Sequence, residues 1–332
     1  MSSFIFAISA VAPIILLVTV GYFLKKLGFM DQKFTKDANK LVFRIFMPVM
    51  LFLNIYKIKD IASMDFSFVI YVVIGIIVTF FVSIPLSFMV AGKKNRRGVL
   101  IQAAFRSGFS LIGIPLARSL YGEEGEIAAS LLAAAAIPVF NVLAVICLSA
   151  MGGDEDGEAK KPSVLKIVLN IIKNPLIVGI AAALVAILIR GIFVKVGIGF
   201  RLSSITPLMT ALQYISNLAV PTALLVLGAQ FEFSAVASLK KEIIFGTVFR
   251  TVVVPAVAIG IAYFVFGNKF APAHYACFIS MFATPVAVPS VPMVQEMGGD
   301  TTLAGQLVVW STLVSALTLF IFTFLLKLGG AF

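Results

Sequence analysis

Nine long stretches that carry almost no charge dominate this chain: Phe4 to Leu24, Phe66 to Ala91, Gly98 to Tyr121, Ile127 to Met151, Pro175 to Ile189, Leu202 to Phe231, Ile243 to Phe266, Ala271 to Gln295 and Thr301 to Leu326. A helix of roughly 20 apolar residues crosses a bilayer, because it satisfies its own backbone where water is absent. A tenth stretch, Leu41 to Tyr56, is shorter and carries Arg44, and it crosses if its ends snorkel. The expectation is an all-α integral membrane protein of ten transmembrane helices. With 61% hydrophobic and 12% charged residues among 332, no soluble domain is left over.

The placement of Lys and Arg orients the spans. With the N-terminus outside, the inner loops hold fifteen of them, among them Lys25, Lys26, Lys93, Lys94, Lys240 and Lys241, while the outer loops and C-terminus hold seven. Both termini are therefore expected on the extracytoplasmic side of the cell (plasma) membrane, with the lipid bilayer as the main partner. The net charge of +11 is mostly this asymmetry and calls for no nucleic acid. The first span lacks a preceding basic stretch and a following small-residue cleavage site, so it reads as a retained span. Cys147 and Cys277 both lie in apolar runs and read as small buried hydrophobes.

One strongly polar connection, MGGDEDGEAKKPS from Met151 to Ser163, separates the fifth span from the sixth. It divides the chain into a first five-helix unit (1–150), a cytoplasmic linker (151–165) and a second five-helix unit (166–332). An odd number of spans per unit forces similar halves to lie inverted. Internal similarity supports the division. Pro115, Gly122 and Glu123 align with Pro292, Gly299 and Asp300, each pair 177 residues apart, and Pro48 aligns with Pro221 in the second span of each half.

Prolines then mark the fourth span of each half. LIGIPLARSLYGEEG places Gly113 and Pro115 where span four should run unbroken, and ATPVAVPSVPMVQEMGGD places Pro285, Pro289 and Pro292 in span nine. Proline removes an amide donor and clashes with the preceding turn. Paired discontinuous helices in inverted halves point to a midplane binding site in a secondary transporter, where half-helix ends attract an anion.

These segments, with NPLIVGI at Asn174 to Ile180 and AVPTALLVLGAQF at Ala219 to Phe231, resemble the auxin efflux carrier family, specifically its bacterial members, over essentially the whole chain. The resemblance implies two inverted five-helix repeats with broken, crossing helices four and nine, a scaffold part and a transport part, and a homodimer. It implies a carrier of a small organic anion, auxin in plant members and malate, malonate or related acids in bacterial ones. The family's usual Asn seven residues before the span-four proline is Gly108 here, and the span-nine Asn position is Pro289. Loss of both amides leaves open a carrier of an atypical neutral solute, or a non-transporting membrane sensor or scaffold.

Ionisable groups inside a membrane are costly, so each is a functional candidate. Arg250, in span eight, reads as either an anion partner through its carboxylate-matching fork or a residue that snorkels or pairs with an acid. Arg106 and Arg118 lie nearer span ends and read as snorkelling cations. The substrate-binding candidates are Gly108, Gly113, Pro115, Pro285, Pro289, Pro292 and Arg250. Asn54, Gln213, Asn217 and Gln230 are candidates for lining the pathway. One histidine, His274, and no acid securely within a span argue against an enzyme, and no metal or cofactor is expected.

Overall fold

A computed structural model describes residues 2–56, 66–152, 169, 172–196 and 201–331. All regular structure among them is helical. Most of the polar linker after Met151 lies outside the described residues. The helices are α1 (Ser2–Lys26), α2 (Gln32–Tyr56), α3 (Phe66–Val90), α4 (Lys94–Phe105), α5 (Phe109–Met151), α6 (Pro175–Lys195), α7 (Thr206–Gln230), α8 (Lys240–Phe264), α9 (Pro272–Phe278, continued by a wide turn Ile279–Ala283), α10 (Ser290–Glu296) and α11 (Thr301–Leu328). Among the described residues seven helical stretches are long and apolar enough to cross a membrane. Apolar side chains such as Leu184, Leu188 and Ile192 on α6 face outward, as lipid contact requires and water would penalise.

The short second stretch read from Leu41 to Tyr56 is longer than its hydropathy indicates. Helix α2 starts at Gln32, where the Asp31 carboxylate accepts from the Phe34 N–H and caps the first turn. Conversely, α5 is one helical run that bends sharply. Tyr121 (φ −139°, ψ 30°) and Gly122 (φ 61°) leave the helix, separating an arm from Phe109 to Leu120 and an arm up to Met151. Gly122 is suited to that corner, since the left-handed region is strained for any residue with a Cβ.

Four wide π turns recur, and each sits two residues before a proline: Val42–Phe46 before Pro48, Phe109–Gly113 before Pro115, Phe249–Val253 before Pro255, and Ile279–Ala283 before Pro285. In the first three, the residue just ahead of the proline donates across the wider turn: Met47 to Val42, Ile114 to Phe109, Val254 to Phe249. A proline ring collides with the carbonyl four residues back, and widening the preceding turn relieves the collision without breaking the helix.

Packing separates the helices into two groups. Helix α1 lies along α7, and α2 lies along α6 and α7. Helices α3, α4, α5, α8, α9, α10 and α11 gather around the second group, with α1 leaning on α11. At one end, the basic end, Arg96 on α4 pairs with Asp300 (2.9 Å) before α11 and with Glu242 (3.2 Å) on α8, and Lys241 donates to the Met89 carbonyl.

Candidate functional site

The fourth span does not break at Gly113 and Pro115. It breaks at Arg106, Ser107 and Gly108, between α4 and α5, and Pro115 occupies the second position of the α-helical part of α5. The helix runs through Pro115 without a break because the wide turn Phe109–Gly113, closed by the Ile114 N–H on the Phe109 carbonyl, makes room for the proline ring. Gly113 serves a different need. A Cβ there would lie 2.7 Å from the Ser280 carbonyl and against the Phe109 ring, so its absence lets the wide turns of α5 and α9 touch. In the ninth span the break runs from Thr284 to Pro289, with Pro285 and Pro289 inside it and Pro292 in the first turn of α10.

The two breaks cross each other. The Gly108 N–H donates to the Pro285 carbonyl at 2.8 Å, and the Ala287 N–H donates to the Arg106 carbonyl at 3.2 Å. Ser107 and Val286 thus form a one-pair antiparallel bridge in the middle of a helical protein. The Val286 N–H finds the Ser311 hydroxyl of α11 at 3.1 Å. Each break supplies what the other lost, so interrupted backbone persists where an unpaired amide or carbonyl would be expensive.

Two arginines meet this crossover, and their roles differ. Arg250 is buried at 1% exposure, and its guanidinium donates to Met281 O (2.9 Å), Thr284 O (3.0 Å) and Ala104 O (3.2 Å). These carbonyls belong to the C-terminal ends of α9 and α4, where the helix dipole places negative potential. Arg250 is therefore the clamp that holds both first half-helices together, and it lies outside the cavity lining.

Arg106, expected to snorkel at a span end, is instead buried at 4% exposure in the first break. Its Nη2 donates to Asn141 Oδ1 on α5 at 2.9 Å and its Nη1 to the Met293 thioether on α10 at 2.8 Å. Asn141 is itself held by its Nδ2 donating to Ile137 O (2.8 Å). Arg118, by contrast, is exposed and pairs with Glu126 at 2.9 Å across the Gly122 corner.

A narrow cavity of about 40 Å³ lies against the crossover, lined among others by Arg106, Ser107, Gly108, Asn141, Pro285 and Pro289. It continues into an open cavity of about 650 Å³ that shares Ile14, Met50, Asn54, Ser110 and Leu111 with it. Asn54, Gln213, Asn217 and Pro115 line this wider part, and Gln213 donates to Asn217 at 2.7 Å. Gln230 lies elsewhere, at the basic end, donating to Gln295 Oε1 at 3.2 Å beside a separate cavity of about 300 Å³.

That end is shut by contacts between the two helix groups. Arg44 on α2 pairs with Glu296 on α10 (3.4 Å), Asn39 on α2 donates to Pro292 O (3.3 Å), and Gln230 on α7 meets Gln295. The crossover is thus reached from one end and sealed from the other. Sequence reasoning places Arg106 nearer a span end as a snorkelling cation and Asn141 only among the amides that line a pathway or bond between helices; their juxtaposition, through the 2.9 Å hydrogen bond, is what the sequence alone does not give.

A family model described as membrane transport protein matches residues 6–323. An uncharacterized transporter of Methanocaldococcus jannaschii is 29% identical over 254 residues, covering 74% of this chain and 75% of that protein. An uncharacterized transporter of Methanothermobacter thermautotrophicus is 22% identical over 315 residues, covering 93% and 95%. The family is one of membrane transporters and not of enzymes. With nearly every helix inside the match, the chain belongs to the membrane transport protein family, that of the auxin efflux carriers.

Proposed function

We propose that this protein is a secondary transporter that exports a small organic anion by alternating access at the crossover. One observation carries the choice of an anion: among the described residues lining the two joined cavities, Arg106 is the sole charged one, so their formal charge is +1. A membrane-embedded cation facing a cavity favours a solute of opposite sign. The one-sided opening, with Arg44, Asn39 and Gln230 closing the other end, supports a carrier over a channel.

The supporting architecture is ten spans in two inverted units, 1–150 and 166–332, joined by the linker 151–165. Interrupted helices that cross from corresponding places in the two units favour this arrangement. In that frame α1, α2, α6 and α7 are the scaffold, and the helices carrying the crossover move against them. The distribution of basic residues supports extracytoplasmic termini in the cell membrane, and in that orientation the open cavity faces outward and the sealed basic end faces the cytoplasm. A homodimer is proposed on the resemblance alone. An inside-negative potential then helps expel the anion, by about 2.3 kcal/mol per charge per 100 mV.

The test is flux in proteoliposomes under an imposed potential, with labelled malate, malonate, short monocarboxylates and indole-3-acetate, with and without proton and sodium gradients. Saturable, potential-driven movement of an anion is expected. If folded protein moves none of them, the anion-carrier reading falls and a neutral solute or a sensory role takes its place.

A further inference from the structure

Resting on the anion-carrier reading, we infer that Arg106 selects the substrate, and that the carried species presents one carboxylate to it and bears a single negative charge. Arg106 is a buried cation whose side-chain partners, the Met293 thioether and the Asn141 amide oxygen, are neutral. A thioether is a weak acceptor, and neither group offsets the desolvated charge as a carboxylate would. With only these partners the guanidinium is short of a counterion, and the substrate supplies it by replacing Asn141 or Met293.

Size agrees with charge. About 40 Å³ in the narrow cavity is room for about three waters, by the volume one water needs. A carboxylate has three heavy atoms, so its head fills the narrow part while the rest of the molecule extends past Asn54 into the wider cavity. Among the described lining residues a second carboxylate would find only neutral groups there, Gln213, Ser216 and Asn217 among them. On occlusion it would lose water with no cation to meet it. Arg250 cannot serve, because its fork is engaged by three carbonyls behind the crossover.

Asn141→Asp tests this directly, since it builds the missing carboxylate into the protein at the same position and nearly the same volume. Wild type, Asn141→Asp and Arg106→Gln are reconstituted and assayed with lactate and pyruvate against malate and malonate. Thermal unfolding in detergent reports whether each variant is folded. In wild type, monocarboxylates are expected to saturate while dicarboxylates move far less efficiently. Asn141→Asp is expected to unfold no earlier than wild type yet to lose monocarboxylate transport efficiency by roughly a hundredfold, the scale of losing a buried charge partner. Equal efficiency for dicarboxylates, or a wild-type half-saturation in Asn141→Asp, would overturn the inference and leave the anion carrier standing. Wild type that moves no anion would overturn both.

Discussion

Gly108 and Pro285, 177 residues apart in the chain, are joined by a 2.8 Å hydrogen bond from the glycine N–H to the proline carbonyl. Its reciprocal, Ala287 to Arg106, completes a bridge between the two helix breaks. Because each break satisfies the other, neither is stable alone, and whatever moves one moves both.

Arg250→Gln should destabilise the protein rather than weaken substrate binding selectively. Three buried carbonyls lose a charged donor, a loss of about 3 kcal/mol or more. Arg250→Lys should restore little of it, since a point ammonium cannot span carbonyls on two helices. Thermal unfolding compared with half-saturation for the transported anion checks the assignment; a large change in half-saturation with unchanged stability would return Arg250 to the binding site.

Glu296→Gln should loosen the sealed end. Arg44 is largely exposed, so the ion pair contributes at most about 1 kcal/mol, and its loss shifts the open–closed equilibrium about fivefold. A Ser107→Cys probe in the narrow cavity reports this, because the native Cys147 and Cys277 are both buried. Labelling by an impermeant reagent from the basic end should rise in Glu296→Gln and fall from the opposite end; no redistribution would show that the pair is not part of the gate.

Gly113→Ala should cost more than Pro115→Ala, although proline is the more conspicuous residue. A methyl at position 113 presses on the Ser280 carbonyl, an overpacking penalty of about 1–3 kcal/mol. Alanine at 115 returns an N–H and lets the wide turn Phe109–Gly113 tighten to an ordinary one, leaving the break at Arg106–Gly108 in place. Unfolding temperatures of the two variants decide the order.

Gly108→Asn should fold. A Cβ there would make ordinary contact with Pro285 O at 3.5 Å, and its φ of −73° suits any residue. The new amide would project at the narrow cavity and reduce its volume, so flux of the bulkier anions should fall before that of the smaller ones. Equal loss for anions of every size would mean that position 108 does not line the route.

Much of this was legible before any coordinates. The membrane class and the apolar runs follow from hydropathy, and the proline-rich segments around Pro115 and Pro285 stand in the chain itself; Asn54, Gln213 and Asn217, which the sequence offers as amides in apolar runs, line the wider cavity. The fourth-span break stands several residues before Gly113 and Pro115, because a proline that only widens a turn and one that marks a break look alike in one dimension. Nor does one dimension tell Arg106 from Arg250, since whether a buried guanidinium meets carbonyls or a cavity depends on which helix ends lie beside it.

What the sequence determined by itself is the solvent, since apolar runs of bilayer length have no stable place in water. What only the tertiary structure decided is the chemistry at the centre. Freed backbone groups must be paired somewhere, and the crossing of residues 106–108 with residues 285–287 pairs them while leaving one arginine facing a cavity and engaging the other behind it.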